Sequence, residues 1–143
     1  MRRNELALYI HLVWATWDRL PLVTHDIERL VHRCIESQAR DQGCVVLALN
    51  GTSDHIHLVV SLPTTLAIAD LVKQAKGVSS HLVNDELAAD THFKWQGSDG
   101  AFTVSRWDLD RIVQYVKCQK EHHAANDLWL DWEQTFEEIA THE

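Results

Sequence analysis

Four side chains in this sequence have the types and spacing to do chemistry together. His55 and His57 fall in the segment Asp54-His55-Ile56-His57, which has strand character. Side chains alternate faces along a strand, so the two imidazoles point the same way, while Ile56, Leu58 and Val60 point the other way and can pack under helices. Two imidazoles one residue apart can chelate a single divalent ion. An HxH alone is equally read as two half-exposed histidines. Tyr115 and Gln119 lie four apart in a helical run, which puts a phenol and a carboxamide on one face beside the apolar stripe Leu109, Ile112, Val113 and Val116. A metal site next to a tyrosine nucleophile suits phosphodiester chemistry. Taken singly, Tyr115 reads as a helix-boundary aromatic with a wet hydroxyl and Gln119 as an ordinary helix polar residue. His122 and His123 read as favourable partners for a helix C-terminus.

The elements that must position these groups can be read along the chain. Leu6–Thr16 has strand composition, and Arg19-Leu20-Pro21 breaks it. Thr24 can cap a helix that carries Asp26 and Glu28 in its first turn. Ile27, Leu30, Val31, Cys34 and Ile35 form its stripe to about Gln42, and Gly43 ends it. Cys44–Leu49 and Asp54–Leu62 flank Asn50-Gly51, which predicts a hairpin with that dipeptide as its turn. A second helix starts at Pro63-Thr64-Thr65 with Leu66, Ile68, Leu71, Val72 and Ala75 on its apolar face. Gly77 interrupts it before Val78, Leu82 and Val83. Residues 92–100 read as a loop and Ala101–Val104 as a fourth strand. A third helix capped by Ser105 or Asp108 runs to about Ala124, and residues 126–143 suggest one more short helix. The order βαββαβα is α+β. It predicts a ferredoxin-like split βαβ fold, an antiparallel four-stranded sheet with helices on one face plus a C-terminal helix.

The 143 residues, with 45% hydrophobic and 24% charged content, suggest one domain, residues 1–143, with a real core. No apolar run is long enough to cross a bilayer, and Met1-Arg2-Arg3-Asn4-Glu5 lacks the features of a signal peptide, so a cytoplasmic protein with no membrane partner is expected. Cys34, Cys44 and Cys118 are odd in number and have no CxxC spacing, which points away from a disulfide framework or a zinc knuckle. The formal charge of −8 is unlike that of a general nucleic-acid binder. Six of the acidic residues (Asp127, Asp131, Glu133, Glu137, Glu138, Glu143) lie after His123 with no Lys or Arg among them, which leaves −2 for residues 1–122 and room for a local basic patch. Lys73, Lys76, Lys94, Arg106, Arg111, Lys117 and Lys120 are candidates for it, and Trp95, Phe102 and Trp107 for base stacking.

The chain resembles the single-tyrosine HUH transposases, the small transposases of the simplest bacterial insertion sequences. The resemblance spans nearly the whole sequence, from His11-Leu12-Val13-Trp14-Ala15-Thr16 through Asn50-Gly51-Thr52-Ser53-Asp54-His55-Ile56-His57 and Leu71–Ser80 to Ile112-Val113-Gln114-Tyr115-Val116-Lys117-Cys118-Gln119. It departs at Ser98-Asp99, where the family often carries an aromatic. The resemblance implies that His55, His57 and Gln119 hold a divalent metal, Mg²⁺ or Mn²⁺, and that Tyr115 is the nucleophile. It implies a homodimer that cuts single-stranded DNA with hairpin ends and rejoins it through a 5′-phosphotyrosine. A free phenol has a pKa of about 10, so the nucleophile needs activation. Two other readings share these residues: a host-adopted relative acting on repeated hairpin DNA, and a non-enzymatic ferredoxin-like DNA-binding module. The spacing of Tyr115 and Gln119 argues against the second, which needs neither.

Overall fold

A computed structural model describes residues 6–87 and 91–124. The first strand, β1 (Tyr9–Ala15), ends in a tight turn at Trp17–Arg19, and helix α1 (His25–Asp41) follows. Gly43, at φ 94°, takes the left-handed step that lets the Cys44 N–H reach the Ala39 carbonyl at 3.0 Å and closes the helix. Strands β2 (Val45–Gly51) and β3 (His55–Ser61) form the hairpin, and α2 (Ile68–His81) runs through Gly77 without a break. A wider π-type turn at Leu82–Glu86, strand β4 (Gly100–Val104), helix α3 (Leu109–Lys117) and helix α4 (Gln119–Ala124) complete the described chain.

The sheet order is β2-β3-β1-β4 with every neighbour antiparallel, which is the ferredoxin-like topology the element order predicts. Alternation in the central strands sorts the side chains into two layers. Ile10, Leu12 and Trp14 of β1 and Ile56, Leu58 and Val60 of β3 pack against Val31, Ile35 and Ala39 of α1 and Leu71, Val72 and Ala75 of α2. This is the main core. Each fully buried aliphatic side chain there contributes roughly 1.5–3 kcal/mol.

The two helices that connect strands share one face of the sheet, and the helix that follows β4 takes the other. Helices α1 and α2 cover one side, but α3 packs Ile112, Tyr115 and Val116 on the other side, against Ala48, Val59 and Val104. One difference from a regular hairpin is a bulge in β2, where the register with β3 slips between Val46 and Ala48. The extra residue turns both Leu47 and Ala48 toward α3. A second difference concerns Asn50-Gly51. The pair sits at the end of β2, with Gly51 in register with Ile56, and the turn itself is Thr52-Ser53-Asp54. Gly51 is required by a close approach: a Cβ there would lie 2.1 Å from the His55 carbonyl oxygen. A third is that the last helix is split. Cys118, at φ −99° and ψ 21°, separates α3 from α4. The short helix expected over residues 126–143 lies outside the described residues.

Candidate active site

The face of the sheet that meets α3 carries the polar side chains. His55 and His57 leave β3 on this side, next to Val59, and each is no more than 1% exposed. Half-exposed histidines are therefore excluded. Their rings lie 5.1 Å apart, inclined at 73°. Tyr115 from α3 stands edge-on to His57, with centroids 6.3 Å apart. It is buried, which excludes a side chain with its hydroxyl in bulk water. Gln119 opens α4, and its Oε1 lies 3.3 Å from Nε2 of His55. The four residues picked out by spacing thus come together, although Tyr115 and Gln119 do so from two helices.

Asn50 sets the join between those helices. Its Nδ2 donates to the Lys117 carbonyl at 2.8 Å, capping the last turn of α3. Its Oδ1 accepts from Nζ of Lys120 at 2.7 Å, and that ammonium also meets Glu28 of α1 at 2.6 Å. The hairpin end therefore holds both α3 and α4 over the histidines.

His55 has a defined tautomer. Its Nδ1 lies 2.7 Å from Oδ1 of Asp54 and 2.9 Å from Oγ1 of Thr52, which itself donates to Asp54 at 3.0 Å. Burial pushes the Asp54 carboxyl up, but the hydrogen bond from His55, the Arg19 charge and the Thr52 hydroxyl outweigh it and bring the pKa down to about 2. An ionised carboxylate only accepts, so Nδ1 of His55 carries a proton, and the neutral ring then has its lone pair on Nε2, on the Gln119 side. Arg19 reaches Asp54 at 3.7 Å from a strained turn in which Asp18 and Arg19 both have positive φ, 54° and 53°.

This donor set fits a divalent ion. The Nε2 of His55 and the Oε1 of Gln119 both offer lone pairs, and a shared cation satisfies both at once. The two atoms lie 3.3 Å apart, so one divalent ion could be held by both. Among the described residues no three His, Cys, Asp or Glu side chains converge as a metal cluster, so the amide of Gln119 is the third donor at hand. The side chains of His122 and His123 lie outside the described residues.

Three participants escaped the sequence reading. From the sequence, Asp54 reads only as the first residue of a strand, and Thr52 is given no role. His11 is fully buried, and its Nε2 lies 2.8 Å from Nδ1 of His57. Alternation in β1, with Ile10, Leu12 and Trp14 facing the main core, could have placed His11 on the histidine face, but only once β1 is known to lie beside β3. Several candidate DNA contacts prove structural. Trp95 is buried against Phe93 and Trp14, and Lys76 is engaged with the carbonyls of Gln96 at 2.9 Å and Ser98 at 3.1 Å. Trp107 is 78% exposed, with the Arg106 guanidinium 4.6 Å from its ring centroid. No helix of the described residues is long and apolar enough to cross a membrane.

Comparison with known proteins adds to this geometry. A family profile described as "Transposase IS200 like" matches residues 5–119. The ISDra2 transposase TnpA of Deinococcus radiodurans is 25% identical over 122 residues, which is 80% of this chain and 85% of that protein. A crystal structure from Deinococcus radiodurans carrying a transposase assignment superposes with a TM-score of 0.63 at 25% identity, covering 83% of this chain and 96% of the other. A REP-associated tyrosine transposase bound to a REP hairpin superposes with a TM-score of 0.64 at 14% identity, covering 86% and 74% respectively, a likeness of fold.

Proposed function

The chain belongs to the IS200-like transposase family, and on that premise we propose that it cleaves and rejoins single-stranded DNA at insertion-sequence ends through a covalent 5′-phosphotyrosine on Tyr115. The observation that carries the reading is the meeting of a buried tyrosine ring with His57, beside His55 and Gln119.

His55, His57 and Gln119 would hold Mg²⁺ or Mn²⁺. Held by these residues, such an ion would supply Lewis-acid polarisation of the phosphodiester and offset charge on its non-bridging oxygens. Every donor is neutral, so the site keeps its positive potential for the phosphate. Imidazole ligation favours Mn²⁺ over Mg²⁺. The protein's own part is placement. The sheet fixes the imidazoles, Asp54 fixes the His55 tautomer, and Asn50 fixes the phenol-bearing helix. Tyr115 attacks phosphorus with its phenolic oxygen. The P–O3′ bond breaks, the 3′ oxygen leaves as a hydroxyl carrying the equivalent of the phenol's proton, and the 5′ phosphate stays on the tyrosine. The phosphotyrosine ester conserves the energy of the bond, so a second 3′-OH reverses the step without ATP.

One nucleophilic tyrosine per chain holds one DNA end, so exchanging two ends calls for a dimer. The hairpin bound by the REP-associated protein supports hairpin DNA as the substrate class. The test is a denaturing gel of the protein with single-stranded hairpin DNA from the ends of its own locus and Mn²⁺ or Mg²⁺. A protein–DNA adduct is expected for wild type and not for Tyr115→Phe or His57→Ala. Tight binding with no adduct under any metal would refute the reading.

A further inference from the structure

We propose that His11 is a positioning residue that selects the metal-binding tautomer of His57. The inference rests on His57 being a metal ligand, as proposed above. The two rings are stacked at 24° with centroids 5.1 Å apart, and Nε2 of His11 lies 2.8 Å from Nδ1 of His57. At that separation one proton is shared between one donor and one acceptor. If His57 carries it on Nδ1, its Nε2 offers a lone pair to a cation. If His11 carries it on Nε2, neutral His57 must protonate its own Nε2 and cannot coordinate there.

Both residues are fully buried in the two central strands, and the register that sets His11 opposite Val59 and Val13 opposite His57 fixes their diagonal contact. The acceptor role falls to His11. Metal-binding histidines generally donate their second ring N–H to a partner that holds the ring and its tautomer. For His55 that partner is the Asp54 carboxylate; for His57 it is an imidazole. A neutral partner adds no second negative charge beside the place the phosphate must occupy. In this arrangement Nε2 of His11 is taken by His57, and accepting there places the proton of neutral His11 on its own buried Nδ1.

The experiment measures Mn²⁺ binding by calorimetry for wild type, His11→Leu and His11→Gln, with His57 protonation read from imidazole ¹⁵N shifts in the metal-free proteins and Tm recorded for each. Leu removes the acceptor, whereas Gln keeps one. Mn²⁺ affinity should fall about 10–100-fold in His11→Leu and stay within about threefold of wild type in His11→Gln. His57 should be protonated at Nδ1 in wild type and His11→Gln, and shift toward Nε2 protonation in His11→Leu. A merely structural role would move Tm and leave the tautomer alone. Unchanged Mn²⁺ affinity in His11→Leu overturns the proposal by itself. Equal loss in both variants with Nδ1 protonation kept in both also overturns it, and points to direct ligation by His11. Wild-type protein that takes up no Mn²⁺ overturns the metal reading, and this proposal with it.

Discussion

Gly51 and Gly77 should respond to the same substitution with opposite signs. A Cβ at Gly51 would sit 2.1 Å from the backbone oxygen of His55 and 3.1 Å from its carbonyl carbon and the Ile56 Cα. Ordinary contact begins near 3.4 Å, so the strands must part by more than an ångström at the hairpin end. The obstacle is backbone, which cannot rotate aside. Overpacking of adjustable side chains costs about 1–3 kcal/mol, and Gly51→Ala should reach or pass the top of that range. For a chain of this size that lowers Tm by about 10 °C. The strain falls on the residue that carries one of the two imidazoles, so Mn²⁺ affinity should fall as well. Gly77 lies inside α2 with nothing within 4 Å of its virtual Cβ. Gly77→Ala should therefore stabilise by about 0.5–1 kcal/mol, through helix propensity alone. Calorimetric melting of both variants decides the matter. A Gly51→Ala protein melting within about 2 °C of wild type, or a Gly77→Ala protein melting below it, would refute the close-approach argument.

Three further outcomes follow from individual contacts. Asn50→Ala removes the cap on the Lys117 carbonyl and the Lys120 contact, and should cost about 1–2 kcal/mol in denaturant titration while weakening Mn²⁺ binding, because Gln119 loses its anchor. Asp54, with its carboxyl held at about 2 against an ordinary 3.8, contributes stability that is fully present above pH about 4 and is lost as pH falls through about 2. The ceiling is on the order of 2 kcal/mol, and the carboxyl's partial exposure brings it nearer to about 1. The urea midpoints of wild type and Asp54→Asn should then differ at pH 6 and converge toward pH 2. Trp107→Ala should leave stability within about 0.5 kcal/mol, since the ring is exposed, yet weaken binding of single-stranded DNA by about 1–3 kcal/mol in an anisotropy titration.

Local chemistry was legible in the sequence where the period was clean. Ile56, Leu58 and Val60 against His55, His57 and Val59 is a strict two-residue alternation, and it sorts the sheet faces as the structure has them. The α3 stripe fixed which side of that helix is buried. What the sequence hid was set by contacts between distant segments. Asn50-Gly51 has the composition of a turn, yet its glycine answers a close approach to His55 and its asparagine a helix end 67 residues away. The Leu47–Ala48 bulge has no local signal, and it puts two successive residues of β2 in the cluster that meets α3. The Cys118 break falls inside a helical pattern. His11 looks like any strand residue until β1 and β3 are paired, because its role comes from register and not from spacing.

Everything proposed for the site turns on Tyr115 forming the covalent bond to DNA. The most direct measurement is mass spectrometry of the protein–DNA adduct after nuclease and trypsin digestion. Wild type should yield a nucleotide joined through its 5′ phosphate to the tryptic peptide of residues 112–117, on Tyr115, and Tyr115→Phe should yield none. A nucleotide on Tyr9 or on any other side chain, with the 112–117 peptide unmodified, would contradict it.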